Sequence, residues 1–211
     1  MSLATTVDRC RMYVTHRFDS YDEYLTVQRH RAERTKTVTR KHRWCREWAL
    51  RMIKTHFPQT HSILCVGARH SLEVEFFCSA GFDALGIDLY DAPPAIRCCD
   101  MSKIYLHPEL GKLTWDVFVM IHSIEHCLDV PGFLRSLRSH CADGLVCWTP
   151  FASNTSQWDC TAFDFVVKDR LSSQALETFF SPFRYVDSIK GRSGYGFVLG
   201  KNAKPERGIH E

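Results

Sequence analysis

The chain has 211 residues, of which 45% are hydrophobic and 24% charged, and a net charge of +3. These values suit one soluble globular unit with enough chain to bury a substantial core. No apolar run approaches the ~20 residues of a membrane span, and the first twelve residues, with Asp8, Arg9 and Arg11, lack the apolar core of a secretory leader. Ten cysteines are many for this length, yet no C-x-x-C occurs, which argues against a zinc ribbon or a dithiol redox centre. Cys65, Cys98 and Cys147 fall inside predicted buried strands, where cysteine acts as a small hydrophobe. Reduced structural thiols in a cytoplasmic or otherwise intracellular protein are therefore expected.

The charge is unevenly spread. Residues 29–54 hold ten Lys/Arg against Glu33 and Glu47, a local net of +8, which leaves −5 for the rest. Residues 1–20 show no clear periodicity. Residues 21–55 predict helix, in one piece or two, with Val38, Cys45, Trp48 and Met52 on one apolar stripe and basic residues on the other faces. This cationic segment is either a solvated face or a contact for an anionic partner, RNA included, with Trp44 between Arg43 and Arg46 able to stack on a base.

The most informative stretch is 61–100. Residues 62–66 form a short apolar strand that stops at Gly67, 71–80 have helical spacing and close on Gly81, and 84–87 form a second buried run that delivers Asp88 at its tip. This is a βαβ unit of a doubly wound sheet, with its crevice at the carboxyl ends of the strands. Asp88 follows Gly67 by 21 residues, close to the ~20 expected of an acid that grips ribose hydroxyls. A third strand, 96–99, ends at Asp100. Residues 106–113 connect to the near-continuous apolar run 115–121, which reads as a central parallel strand covered on both faces. A helix over 129–140, with Phe133, Leu134 and Leu137 inward, leads to a strand at 145–149. The segment 151–169 is long and aromatic (Phe151, Trp158, Phe163, Phe165) and is expected over the same crevice as a lid or binding loop. A serine-capped helix over 172–180 precedes an antiparallel hairpin, 185–190 and 195–200, around the turn 191–194. The residues beyond 201 read as a charged tail.

The turn after the first strand carries one glycine, where a dinucleotide fold normally shows G-x-G-x-x-G, so close approach of a pyrophosphate is disfavoured. A nucleoside cofactor without phosphate tolerates that turn. Two acids at successive strand tips suit an adenosine bearing a sulfonium.

In this order the motifs ILCVGAR, GIDLY, CCDMS, WDVFVMIHSIEHCLDVPGFLRSL and LVCWTP resemble the class I methyltransferases that use S-adenosyl-L-methionine. The resemblance runs from about 62 to 201 and departs from the family at the single-glycine turn. It implies an α/β fold: a Rossmann-like, doubly wound, mostly parallel seven-stranded sheet with an antiparallel C-terminal hairpin strand, preceded by a basic N-terminal helical segment. It divides the chain into a helical extension at 1–57, a cofactor-binding domain at 58–203 and a tail at 204–211. It also implies cofactor roles. Gly67, Ala68 and Arg69 approach the methionine half, Asp88 the ribose with Leu89 beside the adenine, Asp100 and Met101 frame the adenine amine, and His122 and Ser123 face the methyl group.

The cluster His122-Ser123-Ile124-Glu125-His126 leaves three alternatives. His122 or His126 can serve as general base with Glu125 as orienting partner. H-x-x-E-H also matches an inverted zinc-protease motif, but His122 ends a strand and not a helical turn. The plant small-RNA 2′-O-methyltransferases look similar in carrying E-x-x-E-H with a later histidine around a metal. Here His122 replaces the first acid and no histidine lies between His140 and His210, so no metal is expected. The third alternative is structural packing. The expectation is thus an enzyme that methylates an oxygen or nitrogen of a small or medium-sized, nucleotide-like or otherwise anionic acceptor. The rivals are an RNA methyltransferase using 29–54 and a catalytically silent binding module.

Overall fold

The run Trp115–Ile121 lies at the centre of a seven-stranded sheet. The structure, a computed structural model, describes residues 11–14, 18–34, 40–68, 71–89, 94–151, 159–167, 170–192 and 194–201. A short strand β1 (Arg11–Val14) is followed by helices α1 (Tyr21–Arg34) and α2 (Arg40–His56), then by the unit β2 (Ser62–Val66), α3 (Ser71–Ser79) and β3 (Asp83–Asp88). Next come β4 (Ile96–Cys98), 3-10 turns at Met101–Leu106 and Leu110–Lys112, β5 (Trp115–Ile121), a 3-10 turn at Ile124–His126, α4 (Val130–His140) and β6 (Cys141–Pro150). The chain closes with β7 (Thr161–Asp164), β8 (Val166–Val167), β9 (Arg170–Leu171), α5 (Ser173–Phe180), β10 (Arg184–Lys190) and β11 (Gly194–Gly200).

The sheet order is β10-β11-β6-β5-β2-β3-β4. Strands β4, β3, β2, β5 and β6 run parallel, and the hairpin β10–β11 inserts β11 antiparallel to β6. This is the mostly parallel, doubly wound sheet with a C-terminal antiparallel hairpin that the motif order implies. The chain moves outward through β3 and β4 on one side of β2 and through β5 and β6 on the other. That reversal opens a crevice at the carboxyl ends of β2 and β5.

Because successive strand residues face opposite ways, each central strand feeds two cores. Leu64, Val66, Phe118, Met120, Leu145 and Cys147 pack with Phe133 and Leu137 of α4 and Leu176 and Phe180 of α5. Ile63, Cys65, Val117, Val119 and Val146 pack on the other face with Cys45, Trp48, Ala49 and Ile53 of α2 and Phe77 of α3. The α2 stripe is thus core, displaced by one residue from expectation: Ile53 is fully buried and Met52 only partly. Val38 lies outside the described residues. Helix caps follow the sequence: Asp129 Oδ1 accepts from Gly132 N at 3.0 Å and Ser172 Oγ from Ala175 N at 3.0 Å.

Three expectations need correction or restriction. Cys98 is exposed and its neighbour Cys99 buried, because the last residue of a short edge strand turns outward; among the described residues nine cysteines are free. Phe163 and Phe165 of the aromatic loop do not face the crevice. They are buried among Phe179, Phe180, Tyr195 and Phe197, since rings of this size gain more from a dry core than from a wet rim. Strand β7, which carries Phe163, pairs antiparallel with β1, giving the featureless N-terminal segment a partner. Trp158 and residues 202–211 lie outside the described residues. No helix among the described residues is long and apolar enough to cross a membrane.

Candidate functional site

One pocket at the carboxyl end of the sheet is lined by Gly67, Asp88, Leu89, Asp100, Met101, His122 and Ser123, with Ile87 and Cys99 between them. These seven residues come from the tips of β2, β3, β4 and β5. Tyr24 and Gln28 of α1 and His126 complete the lining. Ala68 is buried and serves the turn: its N–H, like that of Gly67, donates to Ile87 O, at 3.0 and 2.8 Å. Arg69 lies outside the described residues.

The single glycine of the turn has a geometric reason. Gly67 has φ +73°, and a Cβ there would stand 2.4 Å from Ser123 Cβ. Only glycine lets the end of β2 lie against the end of β5. Asp88 sits at the tip of β3, where its Oδ1 accepts from Leu89 N at 2.6 Å. Asp100 Oδ1 accepts from Ser102 N and Ser102 Oγ, both at 2.8 Å, and Oδ2 accepts from Tyr21 Oη at 2.8 Å. Burial, and then Asp100, push the Tyr21 phenol well up, so it stays a donor. Helix α1 is further tied down by Tyr24 Oη donating to His126 O at 3.1 Å and Arg29 Nε to Leu89 O at 3.4 Å.

The other end of the pocket is denser. His122 follows β5 with φ +56°, a left-handed conformation that a non-glycine residue adopts at a cost. Its Nδ1 lies 3.5 Å from Glu125 Oε1. His126 Nε2 lies 3.9 Å from the same oxygen, and its Nδ1 lies 3.2 Å from Asp159 Oδ1. Glu125, His126 and Asp159 are all buried. Burial opposes ionisation of Glu125, but the hydrogen bond from His122 and the charge of His126 outweigh it and hold its carboxyl below the usual range. The backbone locks this arrangement: His126 N donates to Ser123 O at 3.0 Å and Cys160 N to Glu125 O at 2.9 Å.

No family model matches the chain and no curated protein matches it by sequence. Solved structures do. The 1,6-didemethyltoxoflavin-N1-methyltransferase of Burkholderia thailandensis, crystallised with 1,6-didemethyltoxoflavin and S-adenosylhomocysteine, superposes with TM-score 0.63 over 89% of this chain and 93% of that one, at 15% identity. The N-methyltransferase NodS of Bradyrhizobium japonicum WM9, in complex with S-adenosylhomocysteine, gives 0.55 over 85% and 98%, at 11% identity. An S-adenosylmethionine-dependent methyltransferase of Clostridium acetobutylicum gives 0.54 over 85% and 98%, at 10% identity. The chain has the class I methyltransferase fold. At these identities the likeness speaks for the fold alone, and the residues must speak for the chemistry.

Within this methyltransferase fold, sequence reasoning missed Tyr24, Gln28 and Asp159. Tyr24 and Gln28 recur at helical spacing on α1, a signal that was there. Asp159 follows His126 by 33 residues, and a search restricted to a later histidine passes over it. Two basic residues of α2, Arg43 and Arg46, are engaged away from the pocket lining. Arg43 pairs with Glu47 at 2.9 Å, and Arg46 donates to Leu72 O at 3.1 Å and lies over the Phe76 ring. Trp44 is 40% exposed and sets its ring edge-to-face on Trp148 at 4.9 Å.

Proposed function

We propose that the protein is an S-adenosylmethionine-dependent methyltransferase acting on an oxygen or nitrogen of a small or medium-sized acceptor. The observation that carries this reading is the convergence of seven residues from four strand tips on one pocket. The Burkholderia and Bradyrhizobium proteins, whose names describe N-methyltransferases and whose crystals hold S-adenosylhomocysteine, support the same class. One face of helix α2 belongs to the hydrophobic core, and its Arg43 and Arg46 touch the protein itself. The RNA alternative and the anionic nature of the acceptor therefore draw no support from them. On this reading residues 58–203 carry the cofactor, with the helices of 1–57 as their cover and 204–211 as a tail.

The residues present fit this cofactor. Gly67 leaves a cradle that a Cβ would fill, Asp88 offers a carboxylate suited to a ribose diol, and Leu89 and Met101 offer apolar walls for a base. When bound, S-adenosylmethionine supplies a methyl group made electrophilic by its sulfonium. The protein's own part is alignment and proton handling. His122, whose Nδ1 faces Glu125 Oε1, lines the pocket, where its imidazole would take a proton from an acceptor hydroxyl or amine. Tyr24 and Gln28 of α1 line this end as well.

Calorimetric titration with S-adenosylmethionine and S-adenosylhomocysteine tests the proposal. Saturable one-site binding is expected, and no heat at millimolar ligand would instead favour a silent module with the same fold. Labelled cofactor incubated with fractionated cell extract would then show which class of molecule takes the methyl group.

A further inference from the structure

The sequence argued against a metal because no later histidine follows the H-x-x-E-H run, but folding supplies an aspartate instead. Asp159 comes from the segment before β7 and places Oδ1 3.2 Å from His126 Nδ1. One ligand atom from each of Glu125, His126 and Asp159 lies within 4.8 Å of the other two, and all three residues are at least nine-tenths buried. Ligands bound at ~2.0–2.2 Å to one ion stand about 3.0–3.5 Å apart, so the three side chains would draw together by up to about 1.8 Å to hold one ion. Two carboxylates in so dry a place need compensating positive charge, which His122 and His126 supply only when protonated. Glu125 has one oxygen, Oε1, facing His122, while Oε2 is buried with no hydrogen-bond partner among the described residues.

We propose that Glu125, His126 and Asp159 form a binding site for a divalent first-row transition ion, such as Mn²⁺, Co²⁺ or Zn²⁺, at the acceptor end of the pocket. One imidazole with two carboxylates suits these ions better than the all-oxygen shells of Mg²⁺ or Ca²⁺. His122 then acts as the outer partner that orients the ligating Glu125, an arrangement common around protein-bound metals. Of the three, His126 lines the pocket, so an ion held by it would stand beside the place where an acceptor would lie. A hydroxyl or amine bound there would lose its proton more readily. This consequence rests on the methyltransferase reading, whereas the cation site itself stands on the ligand geometry.

Co²⁺ titration of chelator-treated full-length protein, followed by visible absorption, reads the site directly. Wild type is expected to bind one Co²⁺, displaced by Zn²⁺. Glu125→Gln and Asp159→Asn should each weaken it by more than about 100-fold, beyond the loss typical of an outer-shell change. Asp143→Asn, on the far side of the sheet, should bind like wild type. Equal Co²⁺ affinity in all four proteins, or no stoichiometric Co²⁺ in wild type, overturns the site. S-adenosylhomocysteine binding to the chelated proteins, measured separately, tells failure of the metal site from failure of the cofactor reading. Wild-type crystals soaked with Zn²⁺ give a check that needs no variant. An anomalous peak among the three side chains supports the site, and a peak elsewhere refutes it.

Discussion

At the tips of β3 and β4 the pocket is made of half-buried carboxylates whose hydrogen bonds come mostly from the next one or two residues, as in Asp88 with Leu89 and Asp100 with Ser102. Beyond β5 it is made of buried charged groups in a strained turn, completed by Asp159 from far along the chain. The first end is held mostly by hydrogen bonds close along the chain, with Tyr21 and Arg29 of α1 reaching it from a distance. The second requires the whole fold, which is where reactive groups can be held in a low-dielectric setting. A polar group is cheap to place where water still reaches it, and informative where water does not.

The strongest way to break this contrast is at the point where the two ends meet. Gly67→Ala should cost about 3 kcal/mol, from left-handed strain and the collision with Ser123, and abolish cofactor binding; denaturant unfolding and calorimetry would measure both. Asp88→Ala should weaken cofactor binding by about 100-fold, as expected for lost charge-assisted hydrogen bonds, with little change in melting temperature. Unchanged affinity would refute its role. His122→Ala should split the other way, lowering turnover about 100-fold while cofactor affinity stays near wild type; undiminished turnover would end the general-base assignment.

The smallest effect belongs to the opposite edge of the sheet, where Asp116 Oδ2 accepts from His61 N and Ser62 N at 2.7 and 2.8 Å. Burial raises its pKa, but these hydrogen bonds prevail and hold the carboxyl below its ordinary range. Asp116→Ala should therefore cost about 1–2 kcal/mol at neutral pH. A group depressed on folding stabilises above its unfolded pKa, about 3.9, and loses that contribution as pH falls through the folded value. The gap between variant and wild type should narrow below about pH 4, and a gap independent of pH would show that the carboxylate charge contributes nothing.

The placement of the β3 and β4 tips was legible because strand and tip are contiguous in sequence. An apolar run that stops at an acid fixes where Asp88 and Asp100 must go, and alternation fixes which neighbours are buried. The Trp48 stripe was legible for the same local reason. Asp159, Phe163 and Phe165 were not, because their environment is set by partners tens of residues away. Hydrophobic rings in an irregular, polar stretch carry no period that says whether they face a ligand or a core. The pairing of β1 with β7 was likewise invisible, since both are short and neither alternates clearly.

The indole stack gives the molecule a built-in optical gauge. Trp44 and Trp48 on α2 meet Trp148 on β6 edge-to-face at 4.9 and 5.6 Å, over space that Gly191 and Gly196 leave open by lacking a Cβ. Three of the chain's five tryptophans thus report one joint. Excitonic near-ultraviolet dichroism from that joint would vanish if α2 swung away while the strands stayed intact, so undocking of this helix can be followed separately from unfolding, without any added label.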